Sequence, residues 1–180
     1  GLPSCKRPAP PPAPSPSPGP GHHPSPAGYR SKEVLASGVT MYYNVNGKGR
    51  TTTISFLLHL EPVAANGTTV SWLGLGLSPT GAMKDGSFVV GYDGCVRVTS
   101  LSGEQTDRPP NGRAGFTISK SSFSRDDGGA WLAFERGLYD NLPGHVSIDG
   151  ESTLNFLYAA GTTAPDPGQC TDPLDMSNIH

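Results

Sequence analysis

The sequence lacks the motifs that several large protein classes require. No apolar run approaches the about 20 residues of a membrane-spanning helix, and no P-loop, GxSxG or HExxH motif is present. The chain has three cysteines, Cys5, Cys95 and Cys170, and no CxxC pair, which disfavours a zinc knuckle. We therefore expect no membrane span and no catalysis by the chain itself.

Two features that look like enzyme motifs have simpler interpretations. The stretch "GLGLS" (74–78) contains two spaced glycines, but no helix is predicted after it, so it does not indicate a dinucleotide-binding turn. Asp126 and Asp127 are adjacent, and their side chains diverge on an extended chain, whereas a glycosidase needs two carboxyls that face one bond. The two aspartates are more typical of a turn.

The first 30 residues differ in composition from the rest of the chain. They hold 11 of the 19 prolines and almost no apolar side chain, which predicts a solvated polyproline II arm. At about 3.1 Å per residue, the segment from Pro8 to Pro26 reaches roughly 60 Å. We therefore divide the chain into an extended arm, residues 1–30, and one domain with a single core, residues 31–180.

Charge is divided unevenly between the arm and the domain. The formal net charge is −2, and the arm carries Lys6, Arg7 and Arg30 without any acidic residue, which leaves −5 on the domain. This division favours docking of a basic arm on an acidic neighbouring copy, and it offers little to nucleic acid. The alternative is that these charges only keep the chain in solution.

Beyond the arm, the pattern is one of strands and turns. The stretch 51–60 alternates, with Ile54, Phe56, Leu58 and Leu60 on one face. The stretches 69–77 and 87–92 are almost continuously apolar, as in strands covered on both faces. Eight strands are predicted, at 39–45, 51–60, 69–77, 87–92, 95–101, 114–120, 130–138 and 152–161. Their spacing predicts an all-β chain that forms an antiparallel β-sandwich of immunoglobulin-like architecture.

Several features predict a secreted, extracellular glycoprotein. The sequence begins with glycine, as after removal of a signal peptide, and Asn66 heads the N-glycosylation sequon Asn-Gly-Thr between two predicted strands. A secreted chain would pair two of its three cysteines, and the sequence leaves all three pairings open. We favour a bridge that involves Cys170, because it would fix the C-terminal segment. The Ser-Pro and Pro-Pro repeats of the arm resemble hydroxyproline-rich wall glycoproteins in composition.

An ordered set of short motifs resembles the DOMON family. A strand that ends in "WLGLGLS" leads into the turn "GAMKDG", and "FVVGY", "CVRVTS", "DGGAWLAFERGL" and "STLNFLYAAG" follow, with a lone histidine downstream. The set covers roughly residues 35–180. It is similar to DOMON domains, extracellular β-sandwiches that also occur as the cytochrome module of fungal cellobiose dehydrogenases. The resemblance implies a DOMON-like sandwich for this chain.

The resemblance also implies a candidate haem site. In haem-binding DOMON members, a methionine in the turn after the "GLGLS"-like strand and a histidine after the "FLYAAG"-like strand hold the iron of haem b. The matching residues are Met83 and His180, with His145 as the alternative nitrogen ligand. The two axial ligands approach iron from opposite faces of the haem. Met176 lies four residues before His180 and would be on the same face as that histidine, so the two do not form the pair. A Met/His pair fills both axial positions, as in electron-transfer cytochromes.

Two functions are consistent with the sequence. The first is an extracellular module that binds haem b in an apolar slot walled by 72–77 and 88–92 and passes electrons to a redox partner. The second is a structural subunit of a wall, matrix or filament, whose Pro-rich arm links it to neighbouring copies and which carries glycans. Some DOMON-like domains bind no haem and are thought to bind sugars. For that case the candidate stacking residues are Trp72, Trp131, Tyr92, Tyr139 and Tyr158, although a tryptophan in a sandwich strand is more often core.

Overall fold

A computed structural model describes residues 25–62, 69–83, 86–93, 95–100, 118–139, 146–148 and 153–163. Within these ranges the chain forms nine strands and two short 3₁₀ turns, Pro26–Gly28 and Gly49–Thr51, and no α-helix. The strands are β1 (Ser31–Ala36), β2 (Val39–Asn46), β3 (Thr53–Leu60), β4 (Trp72–Ser78), β5 (Ser87–Tyr92), β6 (Cys95–Ser100), β7 (Ile118–Asp126), β8 (Gly129–Gly137) and β9 (Asn155–Gly161). The predicted all-β class is confirmed. The predicted arm, residues 1–30, lies largely outside the described residues.

The strands form two antiparallel sheets packed face to face. The large sheet has the order β1-β2-β3-β8-β7, and the small sheet has the order β6-β5-β4-β9. The core between them holds Phe56 and Leu58 from β3, Leu73 and Leu75 from β4, and Leu132 from β8, all at most 2% exposed. The chain is therefore an antiparallel β-sandwich, as its spacing of strands and turns predicts.

Two strands differ from the prediction. β1 has the sequence SKEVLA and was not predicted, because its charged residues hide the alternation of an edge strand. The strand predicted at 114–120 is instead β7, 118–126, and the part of the prediction before Ile118 lies outside the described residues. β7 is mostly polar, so its position is set by pairing with β8 rather than by an apolar pattern. The predicted turn is confirmed for Asp126, whose Oδ1 accepts a hydrogen bond from the Gly128 N–H at 2.7 Å.

The central strands of the small sheet are buried on both faces, as their continuous apolar sequences predict. Every residue of β4 and β5 is buried. Trp72, Phe88, Val90 and Tyr92 alternate with the core residues and form a second cluster, the outer aromatic face. None of the nine described strands lies over this face.

Glycines make the outer aromatic face possible. A Cβ on Gly76 would collide with the Phe88 ring, and a Cβ on Gly161 would collide with the Trp72 indole. The two aromatic rings therefore rest on backbone where any other residue would place a side chain. In "GLGLS", Gly76 leaves the space that the Phe88 ring occupies, whereas a Cβ on Gly74 would meet only ordinary contacts.

This seating predicts that two glycines on the same face of β4 respond differently to alanine. Gly76→Ala forces its Cβ into the Phe88 ring, and we expect the free energy of unfolding to fall by about 1–3 kcal/mol. Gly74→Ala is the matched control, because its Cβ would meet Val90 at an ordinary 3.5 Å, and we expect a change below about 1 kcal/mol. Urea unfolding followed by tryptophan fluorescence measures both values. Equal losses in the two variants would contradict the seating.

Candidate functional site

The turn that follows β4 has a shape fixed by polar groups. Ser78 Oγ accepts hydrogen bonds from the N–H groups of Thr80 and Gly81 at 3.3 and 3.1 Å. Asn155, at the start of β9, donates from Nδ2 to the Ser78 carbonyl at 3.3 Å. Gly81 has a φ of 80°, in the left-handed region that favours glycine. The described part of the turn, 79–83, therefore holds its shape without any contribution from the Met83 side chain.

Met83 is exposed where a methionine usually fills a gap in the core. It is 43% exposed, whereas Met41 on β2 is fully buried. The Met83 carbonyl accepts a hydrogen bond from the Gly86 N–H at 3.1 Å. The same carbonyl and the Phe88 ring are the nearest neighbours of a Cβ placed on Gly86. The turn thus lies beside Phe88, at one end of the outer aromatic face, with its thioether available to a ligand.

This turn contains one of the two iron ligands that a haem site of the predicted kind needs. Methionine sulfur is a known ligand of haem iron, whereas the residues of the outer aromatic face beside Met83 are themselves buried, at most 7% exposed. Among the residues that the structure describes, no group of three or more His, Cys, Asp or Glu side chains is placed to hold a metal ion. The predicted second ligand, His180, and its alternative, His145, lie outside the described residues.

His59 is the histidine that the described strands contain, and it does not face Met83. It pairs with Trp131 on the outer face of the large sheet, and the two rings stack with centroids 3.6 Å apart. Its Nε2 lies 3.0 Å from the Gly128 carbonyl oxygen. Because the sandwich separates this face from the outer aromatic face, His59 is not a second ligand for a group bound at Met83.

Cavities of very different size border the described strands, and Met83 lines neither a water-sized one between the sheets nor a larger groove where β3 ends. A cavity of about 10 Å³ between the sheets touches Phe56, Ser87 and Phe156 and is the size of one water molecule. A groove of about 450 Å³ opens where β3 ends and β7 turns into β8, and it is within the range of small-ligand sites. The inter-sheet space beside Leu75 and Leu77 is packed, so the apolar wall next to Met83 is the outer aromatic face rather than an interior slot.

The other candidate residues divide by exposure. Of the five possible stacking residues, Trp72 and Tyr92 are buried, and the Trp131 ring is stacked by His59, so these three offer no free platform. Tyr139 and Tyr158 are exposed.

The covalent sites predicted from the sequence are described only in part. Cys95 is disulfide-bonded, which agrees with the expectation that two of the three cysteines pair. Cys5, Cys170 and the sequon residue Asn66 lie outside the described residues.

A buried carboxylate on the large sheet was missed by the motif analysis. Glu135 on β8 is 8% exposed and accepts hydrogen bonds from Ser55 Oγ, Lys120 Nζ and Ser119 Oγ at 2.9, 3.0 and 3.4 Å. Lys120 lies at a β-bulge in β7 with a φ of 48°, which turns its side chain toward Glu135. The Lys120 hydrogen bond lowers the pKa of Glu135, against the opposing effect of burial, and the two serines lower it further. The carboxylate is saturated with donors, so its role is structural.

Comparison with known proteins finds likeness in structure but not in sequence. No family model and no curated protein sequence matches the chain. Among solved structures, the chain is similar to the cytochrome domain of Myriococcum thermophilum cellobiose dehydrogenase, MtCYT, with a TM-score of 0.43 and 14% identity over 80% of this chain and 79% of that chain. Within the described ranges, no helix has the length and apolar character needed to cross a membrane.

The Glu135 cluster predicts a specific loss of stability in acid. Folding lowers the pKa of Glu135. Its contribution to the free energy of unfolding is therefore fully present above the ordinary Glu pKa of about 4.3, and it is lost as pH falls through the lower pKa of the folded state. We expect Glu135→Gln to lower the free energy of unfolding by about 1–3 kcal/mol at pH 7, and the difference from the unmodified chain to shrink in acid. Urea unfolding at neutral and acid pH measures this. The exposed Glu61, as Glu61→Gln, is the control, and a Glu135→Gln difference that is independent of pH would contradict the assignment.

Proposed function

We propose that this chain is an extracellular DOMON-like module that holds a b-type haem through Met83 and His180 and passes electrons without catalysing a reaction itself. The observation that carries the proposal is the placement of the Met83 thioether, 43% exposed on a turn that Ser78 holds in shape. When bound, the haem supplies one-electron redox chemistry. The role of the chain is to place its ligands and an apolar surface around that group.

The Met83 side chain is suited to ligation because packing does not use it. A core methionine such as Met41 would leave a cavity if it moved to a ligand, whereas Met83 is 43% exposed and is not part of the buried core. The turn is already ordered by Ser78 and Asn155, so binding would fix little beyond one side chain.

The position of His180 in the sequence is compatible with a return to this turn. β9 ends at Gly161, which pairs with Trp72, the first residue of β4. The Met83 turn follows the other end of β4, about 23 Å away along the strand. The roughly 19 residues from Gly161 to His180 reach about 60 Å when extended. A Met/His pair would leave no open iron position for oxygen or peroxide, which supports electron transfer rather than catalysis.

The extracellular part of the proposal is supported by the cysteine chemistry. Cys95 is disulfide-bonded, and disulfides persist mainly in oxidising compartments outside the cytosol. The sequon at Asn66 and the proline-rich arm are of the kinds found in extracellular glycoproteins.

Titration of the full chain with haem b tests this function. We expect one haem per chain and a Soret band that shifts when the protein is reduced. Met83→Leu keeps the size and apolar character of the side chain and removes the sulfur. Loss of a residue that only supports a metal ligand weakens metal binding roughly 10–100-fold. Loss of the Met83 sulfur should weaken haem binding by at least that factor, and it should change the spectrum of the reduced form.

Histidine variants separate the two possible nitrogen ligands. We expect His180→Ala to abolish the low-spin spectrum and His145→Ala to leave it unchanged. His59→Ala is the matched control, because His59 lies on the opposite outer face of the sandwich. A chain that leaves the spectrum of free haem b unchanged throughout the titration, or a Met83→Leu variant with an unaltered spectrum, would refute the proposal.

A further inference from the structure

The groove at one end of the sandwich, here called the end groove, is built from three separate segments. Its volume is about 450 Å³, and its lining includes Leu60, Glu61, Val70, Asp126, Asp127 and Ala130. Leu60 and Ala130 are buried, so the groove has an apolar floor. Glu61, Asp126 and Asp127 are exposed at its rim. The end groove is therefore an apolar trough with an acidic border.

Negative charge is in excess at this end of the molecule. Arg125 is the basic residue among the described lining residues, and it is already paired with Asp93 and bonded to the Val70 carbonyl. The Glu61 N–H donates to the Gly38 carbonyl, but the side chains of Glu61 and Asp127 form no hydrogen bond or ion pair with the described residues. The end groove thus holds much of the −5 charge of the domain and fits a ligand that is both cationic and apolar.

The chain itself contains a segment of that chemistry. Lys6 and Arg7 are adjacent in the arm and are followed by a run of prolines and alanines from Pro8 to Pro14. Polyproline II segments bind in apolar grooves and lose little conformational freedom, because they are already extended. The basic pair would face the acidic border while the prolines contact the apolar floor.

The length of the arm decides which copy it reaches. Its root is fixed on the large sheet, since Asn44 accepts from the Arg30 N–H and donates to the Gly28 carbonyl, each at 2.7 Å. Asn44 pairs with Ser55, and Leu60 at the groove lies five residues along β3, about 17 Å away. The arm from Arg7 to Gly28 reaches about 65 Å as polyproline II. An arm extended to that length would pass beyond its own groove.

We infer that the arm tip around Lys6 and Arg7 of one copy binds in the end groove of a neighbouring copy. The contact joins two different surfaces, so it is heterologous and generates rings or open chains of subunits. It uses neither Met83 nor the outer aromatic face and is therefore independent of haem binding. The chain thus contains both halves of a self-assembly contact.

Charge reversal in the full chain tests this contact by sedimentation velocity at low salt. We expect the unmodified chain to associate and its association to weaken as salt shortens the screening length from about 10 Å at 0.1 M to about 3 Å at 1 M. Lys6→Glu/Arg7→Glu places like charges together and should weaken association at least about tenfold. Glu61→Lys/Asp127→Lys should weaken it to a similar degree from the groove side.

Mixing the two variants distinguishes a neighbour from the same chain. An equimolar mixture matches the acidic arm of one variant with the basic groove of the other, and we expect association to return. Lys48→Glu/Arg50→Glu is the control, because it reverses an exposed basic pair elsewhere on the domain and should leave association unchanged. An unmodified chain that stays monomeric, variants that associate normally, or a mixture that fails to recover would each overturn the inference.

Discussion

The packing of two aromatic rings against glycine backbone is the constraint on which the small sheet depends. Phe88 occupies the space above Gly76, and Trp72 occupies the space above Gly161, so β4 can pair with β5 and β9 only in the register that places these residues opposite each other. The alternate residues of β4 then point into the core. This double burial fixes Ser78 at the end of β4, and the turn that carries Met83 starts from that fixed point.

The two ends of the sandwich have opposite chemical characters. Beside the Met83 turn, the described residues are apolar and aromatic and mostly buried, and the Met83 side chain with its neutral thioether is 43% exposed. At the end groove, the surface is acidic, and its border is shaped by the turn at Asp126. A redox group at the first surface and a basic arm at the second would not compete, since different strands and different forces are involved. The proposed haem site and the proposed assembly contact are therefore compatible within one subunit.

Local pattern predicted the apolar strands and failed for the polar ones. The predictions of β3 from its alternation and of β4 and β5 from their continuous apolar runs were correct, because burial on one or both faces requires apolar residues at the buried positions. β1 and β7 lie at sheet edges and carry charged or polar residues that protect an edge strand, so their sequences show little apolar pattern. The donor set around Glu135 was missed for a related reason. It depends on the register of β7 on β8 and on the bulge at Lys120.

The sequence by itself determined the fold class and the division of charge between arm and domain, because these depend on composition and on period. The candidate pair Met83 and His180 is what the resemblance of its motifs to the DOMON family implies. Only the tertiary structure decided that Met41 is fully buried while Met83 is 43% exposed, since the exposure of a side chain depends on what packs against it. Tertiary structure also created the end groove. Its walls come from segments that are distant in sequence and adjacent only because β3 pairs with β8. A residue pattern records which face of a strand is buried, but the identity of the neighbour across that face depends on how the sheets assemble.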